Sequence, residues 1–203
     1  HIGARADGSA VRKGFSSADF IYLLTPDRFR NGDPSNDCVK GMLEAPNREF
    51  QGGRHGGDLA GVIESLDYFK NLGVSSLWLN PVLENDMPSY SYHGYAMTDL
   101  YAVDERYGSN ALYKELADKA KEKGIGLIMD QVANHIGSSH PWMADLPSKD
   151  WVNQWPEFTQ TNHMKVSRFD PHAAEVDREQ FTDGWFVETM PDLNQRNEKL
   201  ARN

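Results

Sequence analysis

Residues 58–82 read DLAGVIESLDYFKNLGVSSLWLNPV, and the change of period inside this stretch decides the fold class. Its first part sets Leu59, Val62, Ile63, Leu66 and Phe69 at helical spacing, with Asp58 placed to cap the helix and Gly73 to end it. Its second part, residues 74–82, is a short apolar run closed by Asn80 and Pro81, which is the pattern of a buried strand. Working outward, DFIYLL (residues 19–24), stopped by Thr25 and Pro26, predicts an earlier strand. NALYKELADKAKEKG (residues 110–124) predicts a second helix with Leu112, Leu116 and Ala120 on one face, and IGLIMDQVANH (residues 125–135) a third strand. Strand, helix, strand, helix, strand is the order of an α/β protein with parallel strands and right-handed crossovers.

The bulk properties narrow the function. A chain of 203 residues with 39% apolar content has room for a sizeable core. Its net charge of −9 works against a nucleic-acid partner, which needs clustered Lys and Arg. Cys38 is the single cysteine, so an intrachain disulfide and a thiolate metal site are both excluded. No apolar run approaches the ~20 residues of a membrane-spanning helix. The opening HIGARADGSAVRKG lacks the hydrophobic centre of a signal peptide. A start at His1 rather than Met leads to the expectation that an upstream segment is missing. The aromatic fraction of 11%, with five Trp, fits core packing or a surface that stacks flat ligand faces.

From residue 136 to about 189 the period dissolves into a Trp- and Pro-rich stretch that includes HPWMADLPSKDWVNQWPEF. A structureless loop of that length is unusual in a compact domain, so the expected organisation is a lead-in over 1–15, a main α/β unit over 16–135, an inserted subdomain over 136–189 and a return over 190–203.

Polar residues gather where the strands end: Asp27 and Arg28, then Asn80, then Asp130, Asn134 and His135. That edge of a parallel sheet is where active sites are built. If DQVANH stays extended, its period of two puts Asp130, Val132 and Asn134 on one face, with His135 turning in as the strand ends. YSYHGYAMTDLYAVDERYG (residues 90–108) adds five Tyr and His93. An aromatic face beside hydrogen-bonding groups suits a sugar ring, although such a loop could equally pack its own tyrosines. No dinucleotide fingerprint, EF-hand, metalloprotease helix, nucleophile elbow or P-loop is complete. NGDPSND (residues 31–37) offers hard oxygens at Asn31, Asp33, Asn36 and Asp37, and composition alone leaves a calcium loop and a solvated turn both open.

Taken together, DRFRNGDPSND, GGDLAGVIESLDYFKNLGVSSLWLNPV, YHGYAMTDLYAVDERYG, LIMDQVANH and MPDLN resemble, in order, the landmarks of the α-amylase family of glycoside hydrolases, in particular its cyclomaltodextrinase and neopullulanase branch. The resemblance runs from about Ser16 to the end of the chain and implies the first three βα units of a TIM (β/α)8 barrel, incomplete as given, with a domain B-like subdomain inserted after the third strand.

By the same resemblance, Ca²⁺ is the expected cofactor, held by Asn31, Asp33, Asn36, Asp37, the Gly56 carbonyl and Asp58. Tyr95 resembles the aromatic platform under the sugar, His93 and His135 resemble donors to its hydroxyls, and Asp130 and Asn134 match a motif that shapes the site from behind. An Asp in the fifth landmark, here Asp192, goes with mixed α-1,4 and α-1,6 activity, whereas neopullulanases more often carry Lys there. The retaining mechanism of such enzymes needs a nucleophilic carboxylate and a general acid ~5 Å apart. No acidic residue of this chain matches those positions, so both groups are expected beyond Asn203 and the chain alone is expected to be inactive.

The implied substrates are starch, maltooligosaccharides, pullulan or cyclodextrins, and the implied partner is the rest of the barrel, with a homodimer allowed. A non-catalytic carbohydrate-binding fragment, or part of a glucanotransferase or isomerase on the same barrel, is the alternative. Millimolar calcium and polymeric glucan lie outside the cytosol, which favours a periplasmic or secreted setting over the cytoplasm.

Overall fold

The computed structural model describes residues 7–8, 14–154 and 156–202. The lead-in expected over 1–15 therefore lies largely outside the described residues. Three parallel strands form one sheet in the order β1 (Ile21–Leu24), β2 (Ser76–Leu79) and β3 (Gly126–Met129). Their register aligns Leu23 with Trp78 and Ile128, and Leu24 with Leu79 and Met129.

The helix expected over 58–73 is two short ones, α1 (Leu59–Glu64) and α2 (Leu66–Leu72). The break falls at Ser65, whose hydroxyl donates to the Gly61 carbonyl at 2.8 Å and whose N–H turns to Val62, tightening the last turn of α1. Gly73, at φ +85°, ends α2 as expected. The third helix, α3 (Asn110–Glu122), is capped by the Ser109 side chain, which accepts from the Leu112 N–H.

One face of the sheet is closed by these helices. Tyr22, Leu24, Leu77 and Leu79 pack with Leu59, Val62, Leu66, Phe69, Leu116 and Ala120 into the main core. On the opposite face Ile21, Leu23 and Trp78 are 39%, 57% and 38% exposed. Side chains alternate across a strand, so this apolar row lies on the face opposite the main core, which the described residues leave open.

The third strand stops at Met129, whereas the sequence pattern extends to residue 135. Its neighbour β2 ends at Leu79, and Asn80–Pro81 cannot continue the ladder because proline has no N–H to give. Residues 130–134 leave the sheet, and His135 pairs instead with Asp192 in an antiparallel bridge. The expected shared face of Asp130, Val132 and Asn134 is thus not formed.

Residues after 135 gather around a second core of Ile136, Trp151, Val152, Trp185 and Leu193. Among its described residues the 136–189 segment includes one α-helix, α4 (Glu175–Asp183), which buries none of its residues, and two short 3₁₀ turns.

Candidate functional site

His93, Tyr95, His135, Phe186 and Met190 line an open pocket of about 500 Å³ on the loops that follow β2 and β3. The first two ride on a 3₁₀ turn, Ser91–His93, bounded by Tyr90 and Gly94, both left-handed at φ +58° and +82°. The His93 Nδ1 accepts the Tyr95 N–H at 2.9 Å, so in the neutral ring the proton sits on Nε2, a donor for a ligand in the pocket. Burial is the main cause that pulls the His93 pKa below its ordinary value, and His135 lowers it further against the carboxylate of Glu44. The His93 and Tyr95 rings lie 5.9 Å apart, tilted by 34°.

Asp130 fixes the Tyr95 ring. Its Oδ2 accepts from the Tyr95 hydroxyl at 3.1 Å and from the Trp78 Nε1 at 3.0 Å. Burial and the Asp130 hydrogen bond both push the Tyr95 pKa up, so the phenol keeps its proton and donates it. His135 Nε2 pairs with the Tyr95 carbonyl at 2.9 Å, which makes Nε2 the protonated nitrogen, and Asn134 Nδ2 sits 3.4 Å from Nδ1. Both nitrogens of His135 are therefore engaged by the protein. It orients Tyr95, while His93 commits only its Nδ1, to the Tyr95 N–H.

Asn134 does not line the pocket. Its amide donates to Asp192 Oδ1 at 2.9 Å, and Asn153 donates to Oδ2 at 2.8 Å. Asp192 is 3% exposed, and burial raises its pKa to about 6. A carboxyl raised above its ordinary value favours the fold while protonated, so its contribution is present at low pH and lost as pH rises through about 6. Relative to Asp192→Asn, the protein should lose about 2 kcal/mol of unfolding free energy between pH 4 and pH 7. Urea melts at the two pH values measure this, and a difference that stays flat contradicts it.

Phe186 and Met190 were not legible as site residues. Phe186 stacks on His135, with ring centroids 6.1 Å apart and planes at 15°, and meets His163 edge-on at 5.4 Å. It is 49% exposed and gives the pocket an aromatic wall besides Tyr95. No helical or strand period marks this stretch, so only the contact itself identifies the wall.

The loop after β1 brings together part of the expected ion site. Asn31 Oδ1 and Asn36 Oδ1 are buried with no hydrogen-bond partner. Asp37 lies beside them, accepting from Asn31 Nδ2 at 2.6 Å, and its carboxylate occupies the space that a side chain on Gly56 would need, at a residue whose φ is +89°. Among the described residues no three His, Cys, Asp or Glu side chains converge as a ligand group. Calcium draws equally on amide and carbonyl oxygens, and two orphaned amide oxygens beside a carboxylate fit such an ion.

Asp58 stands differently. It accepts from the N–H groups of Gly32, Asp33 and Gly61 and from Asn36 Nδ2, at 2.7 to 3.1 Å, so it clasps the loop to the start of α1. Asp33 Oδ1 takes the N–H and hydroxyl of Ser35.

Residues 20–203 match the family model described as alpha amylase, catalytic domain. The chain belongs to the α-amylase catalytic-domain family. Its α-amylase fold is also that of an α-amylase from Anoxybacillus, at a TM-score of 0.74 and 32% identity over 91% of this chain and 36% of that one. The three parallel strands and their crossover helices are accordingly part of a TIM barrel. Among curated α-amylase relatives, the beta/alpha-amylase of Paenibacillus polymyxa is 38% identical over 79% of this chain and 14% of its own length. The cyclomaltodextrinase of Thermoanaerobacter pseudethanolicus is 37% identical over 70% of this chain and 25% of its own length. The chain thus spans about a quarter or less of these two relatives. No helix among the described residues is long and apolar enough to cross a membrane.

Proposed function

We propose that this chain is the N-terminal part of a retaining α-glucan hydrolase barrel and supplies the sugar-binding wall of its active site. The carrying observation is the pocket in which the Tyr95 ring, fixed by Asp130, stands beside His93 with an uncommitted Nε2. A pyranose presents one apolar C–H face and a rim of hydroxyls, so a ring face beside a hydrogen-bond donor matches it. Relatives named cyclomaltodextrinase, neopullulanase and oligo-1,6-glucosidase favour α-1,4-linked and α-1,6-linked glucans as substrates. The nucleophile and general acid would come from barrel elements outside these residues, and those elements would cover the open row of Ile21, Leu23 and Trp78. Residues 136–189 would form the inserted subdomain, closing the pocket from its Phe186 side.

Ca²⁺ would be held by Asn31, Asn36, Asp37 and the Gly56 carbonyl, with Asp33 and Asp58 shaping the loop. Its contribution is structural: it neutralises Asp37 and ties the β1 loop to the segment that leads into α1. Calcium at a hundred times its Kd should stabilise the protein by about 2.7 kcal/mol, or roughly 5–10 °C in Tm. Scanning calorimetry with calcium and with a chelator reads this, and an unchanged Tm counts against the ion.

The functional reading is tested with maltoheptaose. The 203-residue chain is expected to bind it and to release no reducing sugar. Release that tracked the purified chain would place the chemistry on its own carboxylates and overturn the assignment.

A further inference from the structure

We infer that Glu44 is a positioning residue of the sugar site: its buried carboxylate, reaching in from the loop between β1 and α1, caps the turn that carries His93 and Tyr95. The inference rests on the sugar-site reading for its binding readout and on the turn alone for its spectroscopic one.

The turn needs a clamp. Tyr90 and Gly94 are both left-handed, and Tyr90, a bulky residue at φ +58°, holds that conformation only where its surroundings impose it. The Tyr90 side chain provides no cap, which leaves the Ser91 N–H at the start of the turn in need of an acceptor. Glu44 Oε2 supplies it at 2.7 Å from 47 residues upstream. Ser91 is fully buried and Glu44 is 9% exposed, so water does not compete.

Glu44 is itself held, since its carbonyl accepts from Arg106 Nη1 at 3.1 Å. Two more groups secure the turn from below: Arg54 Nη1 to the Ser91 hydroxyl at 3.3 Å, and the Tyr107 hydroxyl to the Tyr92 carbonyl at 2.6 Å.

The same carboxylate bears on His93. Burial and His135 favour the neutral imidazole, and Glu44 is the opposing charge. The other neighbours, Tyr92 and Tyr95 by their rings and Phe186 and Met190 across the pocket, bring no charge. Glu44 thus holds the start of the turn that carries His93, and its charge opposes the effect of burial on that ring.

Two variants separate these roles. Glu44→Gln keeps an oxygen for the Ser91 N–H and removes the charge, whereas Glu44→Ala removes both. Histidine-labelled protein is titrated by NMR, with His93→Gln used to assign the resonance, and maltoheptaose affinity is measured at pH 7. Glu44→Gln should lower the His93 midpoint and leave affinity within about twofold. Glu44→Ala should lower the midpoint and weaken binding about tenfold, the effect of a buried N–H left without a partner.

A His93 midpoint that is the same in the original protein and both variants overturns the inference, as does Glu44→Ala binding as tightly as the original. If the original protein binds no maltoheptaose, the sugar-site reading fails, and urea melts decide the role of Glu44: a Glu44→Ala protein no less stable than Glu44→Gln overturns it.

Discussion

Asp104→Ala is expected to destabilise the protein by about 3–5 kcal/mol, because it strands a buried guanidinium. Asp104 is fully buried and Arg106 is 1% exposed. The carboxylate accepts from Arg106 Nε at 2.9 Å and Nη2 at 2.8 Å, and from the backbone N–H groups of Arg106 and Asn85. Burial pushes the Asp104 pKa up, yet the Arg106 hydrogen bonds and the charges of Arg54 and Arg106 hold it below its ordinary value. Arg106 also donates to the carbonyls of Glu44 and Asn85, so it staples the loop before α1 to the loop after β2.

Removing Asp104 leaves the charge without a partner and two N–H groups unpaired. By comparison, the exposed Lys114–Asp118 pair, at 76% and 61% exposure, should contribute less than about 0.5 kcal/mol. Urea denaturation of Asp104→Ala beside Lys114→Ala tests the contrast. A loss below about 1 kcal/mol for Asp104→Ala would show that the buried network does not carry the fold.

Gly94→Ala should act on both stability and binding. Gly94 sits at φ +82°, where a side chain strains the backbone by about 1–2 kcal/mol. Its added Cβ would also overlap the Pro81 carbonyl oxygen and carbon, rigid backbone atoms just past β2. Forcing the two segments apart adds about 1–3 kcal/mol, for a total near 3 kcal/mol. His93 and Tyr95 flank this glycine, so the movement separates the donor from the aromatic face. Maltoheptaose affinity should fall more than about tenfold, the factor for 1.4 kcal/mol of lost binding. A Gly94→Ala protein as stable and as tight-binding as the original would show that the turn tolerates the displacement.

How far the sequence carried the reading follows from the range of the forces involved. The α3 boundaries were legible because Ser109 caps locally and the apolar spacing is regular. The division of the first helix was not, since it depends on one Ser65 hydroxyl turning back to Gly61. His135 could be picked out because it follows the third strand, whereas His93 and Tyr95 came from the Tyr-rich 90–108 stretch and the family resemblance. Asn134 was placed with them by a strand period that Pro81 cuts short, and its amide reaches Asp192, 58 residues away, a contact that no local spacing reveals.

The 136–189 segment hid Phe186 for a related reason: α4 buries nothing, so it leaves no amphipathic signature beside which an aromatic wall could be recognised. Asp58 was legible both as a helix cap and as an ion ligand, and the structure shows it in the first of these roles.

The most direct test of the sugar-site claim is a crystal structure of the protein with bound maltoheptaose. The account predicts a glucose ring lying on the Tyr95 face with a hydroxyl within hydrogen-bond reach of His93 Nε2, between the loop after β2 and Phe186. A pocket that stays empty at saturating sugar, or a glucan bound away from Tyr95 and His93, would contradict it.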